Sequence, residues 1–145
     1  MDKIEEVWII EDSGICLFNH SIGSIDETLF SGFLSSLQTF VGTISKGEKI
    51  KKIELGDSKL TIFNLDEYHL LIVIRTDQKT KDKYLDKKIQ EIQKKFILKY
   101  GSSLVEHQVK NIPYNINDFQ GFKEELKEIF EENIEKNISK WMKSL

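Results

Sequence analysis

The chain has 145 residues, 39% of them hydrophobic and 31% charged, with a formal net charge of −3. That is enough for one domain, residues 1–145, around a single core, and the balance excludes a disordered chain and a globally basic, nucleic-acid-binding surface. A single cysteine, Cys16, excludes a disulfide framework or thiolate metal cluster, and the acidic start is unlike a signal peptide.

Val7 to Ile10 is apolar, as is most of Ile15 to Phe18, and Glu11-Asp12-Ser13-Gly14 between them is a turn signal. The pair predicts a hairpin. Val7, Trp8, Ile9 and Ile10 offer apolar side chains to both sides, which implies a strand buried on both faces.

Ser24 to Ile44 then reads as one amphipathic helix. Ser24 and Glu27 fit a capping box, and Phe30, Phe33, Leu34, Leu37, Phe40, Val41 and Ile44 share one face at the three-and-four spacing. Phe33 and Leu37 are expected against the sheet, and Lys46-Gly47 ends the helix. The other face carries Gly32, Ser35, Ser36, Thr39 and Thr43, and no charged residue lies between Thr28 and Ser45. In a chain this charged, a solvated helix face should carry several Lys or Glu. A small, polar, uncharged face suits the close approach of another surface.

Three strands follow, Ile50 to Leu55, Lys59 to Leu65 and Tyr68 to Arg75, separated by Gly56-Asp57-Ser58 and Asp66-Glu67. The first, with Lys51, Lys52 and Glu54, has the charge of an edge strand. The last is apolar on both faces and belongs in the centre, beside the opening strand. Helical period returns from Lys81, with Leu85, Ile89, Ile92, Phe96 and Tyr100 as a stripe and Gly101 as the expected C-terminal cap. Ser102 to Ile116 is irregular by pattern. Asn117 or Asp118 caps a final helix whose stripe runs from Phe119 and Phe122 through Leu126 and Ile129 to Trp141 and Leu145. One helix can cover one face of the sheet and two the other, an α+β arrangement.

This order resembles the longin domain of the SNARE-like, longin–roadblock superfamily. The hairpin Ile9 to Phe18 with its Gly turn, the helix carrying Phe30, Phe33, Leu34 and Phe40, the spacing of Phe96, Tyr100 and Leu104, and the start at Phe119 and Phe122 carry the likeness. The resemblance implies a five-stranded antiparallel sheet in the order 2-1-5-4-3. It also implies a non-enzymatic module of small-GTPase regulation or membrane trafficking, which pairs with itself or another longin or roadblock-type chain, or binds a Ras-like small GTPase. With no coiled coil or anchor after the domain, a stand-alone archaeal-type longin is the closer match. The expected location is cytoplasmic, peripheral at membranes through partners, without stable insertion, since no apolar run approaches the roughly 20 residues a span needs. The alternatives are a small-ligand sensor of PAS type and a profilin-like actin-binding protein.

No catalytic, cofactor or metal motif is present. His20, His69 and His107 are scattered, no Gly-rich loop has phosphate-binding spacing, and the lysines of the second long helix are interrupted by Asp82, Asp86 and Glu91. The candidate site is an interface. Gly32, Ser35, Ser36, Thr39 and Thr43 on the first helix would join the edge strand at Ile50, Lys52 and Glu54.

Overall fold

The computed structural model describes residues 4–11, 13–21, 30, 32, 34–36, 38–39 and 50–129. The capping box at Ser24 and Glu27, the side chains of Phe33 and Leu37, Thr43, the stop at Lys46-Gly47 and the stripe beyond Ile129 lie outside the described residues.

Strands β1 (Ile4–Glu11) and β2 (Cys16–Ser21) form the opening hairpin. Gly14 turns it at φ 100°, a region open to glycine, and its N–H donates to the Glu11 carbonyl at 2.8 Å. The register shifts between Ile9, opposite Phe18, and Ile10, opposite Cys16. Leu17 is therefore the extra residue of a β-bulge, and Leu17 and Phe18 both reach the same core. After helix α1, helical at residues 30, 32, 34–36, 38 and 39, come β3 (Lys52–Leu55), β4 (Ser58–Leu65) and β5 (Leu70–Asp77). The sheet order is β2-β1-β5-β4-β3, every neighbour antiparallel. This is the longin-type order that the resemblance implies. β1 and β5 are central, with Trp8 opposite Val73 and Ile9 opposite Ile72.

The strand period of two sends alternate residues of the central pair into two cores. Val7, Ile9, Ile72 and Ile74 face the long helix α2 (Asp82–Lys110) and helix α3 (residues 122–129), where they meet Ile89, Phe96, Phe122 and Leu126. Trp8, Ile10, Leu71 and Val73 face α1, where they meet Leu34 and Phe30. The Trp8 and Phe30 rings lie 4.5 Å apart. Burying aromatics of this size supplies much of the driving force for closing each layer.

Three local expectations are corrected. Gly101 does not end α2. The helix continues to Lys110 and is capped by Asn111 in the left-handed conformation, φ 55°. Gly101 instead sits where Tyr68 packs against the helix; an added Cβ would meet Ile97 Cγ2 at 3.1 Å and the Tyr68 hydroxyl at 3.7 Å. Burial of Leu104 in the core carries the helix onward. Second, the final helix does not start at Asn117. Ile116–Phe119 is a 3-10 turn, capped when the Asn115 side chain accepts from the Asn117 N–H, and α3 begins at residue 122. Third, β3 begins at Lys52 and not at Ile50. The backbone of Ile50 is engaged by a side chain of α1, described next.

Candidate interaction surface

Helix α1 is seated by Leu34, buried in the Trp8 core, and by Phe30. Its attachment to the sheet edge is polar. The Gln38 amide donates to the Ile50 carbonyl at 3.1 Å and accepts from the Ile50 N–H at 2.8 Å. One side chain thus satisfies both backbone groups of the residue leading into β3, where a strand partner would otherwise do so. Gln38 is the structural residue that pattern reading missed. It lies between two face assignments on the helix wheel, and its partner is twelve residues away.

With those residues turned inward, Ser36 and Thr39 face out, while Gly32 and Ser35 are half-buried. A Cβ built on Gly32 meets nothing within 4 Å. Ser36 and Thr39 are exposed and Ser35 is half-buried, and the Thr39 hydroxyl donates to the Ser35 carbonyl of its own helix at 3.0 Å. Gly32, Ser35, Ser36 and Thr39 therefore share one helix. Ile50 is half-buried and packs on the same core as Leu34.

Lys52 and Glu54 lie elsewhere. Lys52 Nζ is 3.4 Å from Asp82 Oδ1 at the start of α2, so its side chain is on the opposite face of the sheet from α1. Glu54 shares that parity and stands opposite Lys59, whose Nζ donates to the Thr80 carbonyl at 2.7 Å and lies 3.4 Å from the same Asp82 oxygen. Hydrogen bonding from Lys52, its charge and the contacts of Lys59 hold the Asp82 carboxyl below the usual range. What β3 offers beside α1 is thus its backbone edge and not these two side chains, since β3 is terminal in the sheet.

The titratable groups elsewhere serve packing. The buried Glu6 carboxylate accepts from Trp8 Nε1 and from Arg75 Nη1, each at 3.3 Å, so the sole arginine neutralises a charge inside the sheet. His107 stacks on Tyr114, with Nδ1 3.0 Å from the Ile112 carbonyl oxygen. Burial, with Lys123 and Lys127 nearby, lowers the pKa of His20. His20, His69 and His107 remain on separate elements. Among the described residues, no group of three His, Cys, Asp or Glu side chains could hold a metal ion, and no helix is long and apolar enough to cross a membrane.

A second surface had no signal in the sequence reading. Where α2 meets the turn after β4, a cleft of about 490 Å³ opens between Leu65, Tyr68, Gln93, Lys94, Ile97 and Leu98. A neighbouring depression of about 430 Å³ shares Tyr68 and Ile97 and continues to Val105.

No protein-family model matches the chain, and no curated protein matches it. Solved structures do show similarity. A Roadblock/LC7 domain from Streptomyces avermitilis is similar over 57% of this chain and 72% of that one, at 11% identity and a TM-score of 0.47. MglB of Myxococcus xanthus is similar over 77% of this chain and 81% of that one, at 11% identity and a TM-score of 0.45.

Proposed function

We propose that the chain is a non-enzymatic longin-like interaction module that pairs through α1 and the β3 edge and, as a pair, seats a Ras-like small GTPase. The observation that carries this reading is the outward face of α1. It is small, uncharged and open at Gly32, and it runs beside a sheet edge that has no neighbouring strand among the described residues. Small side chains permit a second helix to approach closely. In a two-fold pair the same patch meets itself, and an uncharged patch escapes like-charge repulsion. The strand order adds the longin likeness, and that likeness is the source of the GTPase assignment. A surface that prefers one nucleotide state of the GTPase would shift that equilibrium by its differential affinity.

Ser36→Arg tests the interface, because it adds bulk and charge at an exposed position. Light scattering over a concentration series should show a dimeric wild type, and a variant whose association is weakened at least about tenfold, or ~1.4 kcal/mol. A wild type that stays monomeric at high micromolar concentration would end the homodimer reading. A dimer that ignores Ser36→Arg would place the interface on another surface. Binding to GTPases loaded with each nucleotide then tests the partner class.

A further inference from the structure

The outer edge of β3 is open over a short stretch only. The Lys51 carbonyl accepts from the Ile62 N–H at 2.8 Å, and the register continues with Lys52 opposite Thr61, Ile53 opposite Leu60 and Glu54 opposite Lys59. Hydrogen-bonded pairs alternate along an antiparallel ladder, so the backbone groups of Lys51 and Ile53 point to β4 and those of Lys52 and Glu54 point outward. Among the described residues no strand lies on that outer side. Ile50 continues the outward series, but the Gln38 amide already holds its N–H at 2.8 Å and its carbonyl at 3.1 Å. At the other end the chain turns away at Gly56, φ 60°. The open edge is thus bounded by a side-chain clamp and by a turn.

Charge restricts it further. Lys52 and Glu54 are exposed and lie on the α2 side of the sheet. Their neighbours there are Asp82, 3.4 Å from both Lys52 and Lys59, and Lys59 itself, opposite Glu54. The Lys59 amine is committed inward, to the Thr80 carbonyl at 2.7 Å, and the Lys52 side chain is still 41% exposed. Two-fold antiparallel pairing of this edge with a second copy can be centred on Lys52, on Ile53 or on Glu54. Centring on Lys52 sets Lys52 against its own copy, and Glu54 against Ile50, whose backbone Gln38 holds. Centring on Glu54 sets Glu54 against its own copy, and Lys52 against the turn at Gly56. Like charges directly opposite one another destabilise a strand pair. Centring on Ile53 removes both conflicts. Lys52 of each copy then faces Glu54 of the other, and the outward backbone groups of both residues find partners. Ile50 falls opposite Gly56, so the Gln38 clamp lies beyond the paired segment and stays closed.

We infer that the pairing proposed above, on which this inference rests, joins β3 to β3 antiparallel about Ile53, with Gln38 ending the paired segment. A second copy is the occupant this edge selects, because the order Lys52-Ile53-Glu54 is complementary in charge to its own reverse.

Charge exchange reads the register. Lys52→Glu sets acid against acid, and Glu54→Lys sets base against base. Each single variant should dimerise at least about fivefold more weakly than the wild type by light scattering over a concentration series. An equimolar mixture of the two single variants should recover a mixed dimer, since one chain then carries acids at both positions and the other lysines. The double exchange in one chain should dimerise as the wild type does. Recovery on mixing separates cross-strand pairing from damage within one chain, because each chain keeps its own altered contacts to Asp82 and Lys59. If the wild type is dimeric and Ser36→Arg weakens it, but the single variants match the wild type or mixing restores nothing, the register is overturned and the pairing stands. A wild type that stays monomeric at high micromolar concentration overturns both and leaves the edge to a strand of another protein. A dimer that neither Ser36→Arg nor the charge variants weaken also overturns both.

Discussion

His20 shows how a single side chain reports its tertiary setting. It sits on the edge strand β2, where burial first and the charges of Lys123 and Lys127 second disfavour its protonated form, so its pKa lies below the ordinary 6.5. The unfolded chain takes up the proton near that value and the folded chain only at lower pH. His20 therefore contributes stability that is fully present above about 6.5 and is lost as pH falls below it toward the folded pKa. An NMR titration should place its midpoint below 6.5, and Lys123→Gln should move the midpoint upward. A midpoint unchanged by that substitution would show that Lys123 makes no contribution and leave burial and Lys127 to set the shift. The lysines make the same point from another direction. Lys94 and Lys95 are neighbours and indistinguishable by pattern, yet Lys95 meets Glu128 while Lys94 faces the cleft. The difference arises only when α3 packs along one flank of α2.

At the scale of elements, α2 is the informative case. Its stripe Leu85, Ile89, Ile92, Phe96 and Tyr100 is legible as a helix from spacing alone, and the structure buries all five. Its end is not legible, because glycine is a local stop signal and Gly101 stands where a stop would. Tertiary contact overrides that signal: Tyr68 needs the space at Gly101, and Leu104 completes the core one turn later. Leu104→Ala should therefore cost about 2–5 kcal/mol, as a buried leucine does when a cavity is left behind. Urea denaturation measures this, and a cost under about 1 kcal/mol would mean that the last turns of α2 are an overhang and not part of the core. The hairpin and its turn, by contrast, were readable, although the bulge at Leu17 and the full strand lengths were not. Its Glu11–Gly14 turn depends on glycine at positive φ, a requirement satisfied within a few residues.

For the whole molecule, the sheet separates two candidate surfaces. The uncharged face of α1 lies over the Trp8 side, and the cleft along α2 lies over the Ile72 side. Ser36 and Leu98 are both exposed and lie on elements at opposite faces of the sheet. At concentrations where the chain is monomeric, Ser36→Arg and Leu98→Glu should therefore each change folding stability by no more than about 0.5 kcal/mol. The double variant Ser36→Arg with Leu98→Glu should show the sum of the two single effects in urea denaturation, within about 0.5 kcal/mol. A larger departure would reveal coupling through the sheet between the two surfaces.

By itself the sequence determined the kinds of element, their order and which side of each strand is apolar, because hydrophobic period and turn chemistry act over a few residues. Trp8 and Ile72 could be placed in the central strands on that basis, as could the small residues Gly32, Ser35, Ser36 and Thr39 on one helix face. Only the tertiary structure decided what those local pieces meet. Gln38 clamps Ile50 and shortens β3; Lys52 and Glu54 turn away from α1; and α3 pairs with Lys95 and Lys99 on one flank of α2, while Lys94 borders the cleft. Each of these depends on groups that are distant in sequence and brought together by packing, so no window along the chain contains the information.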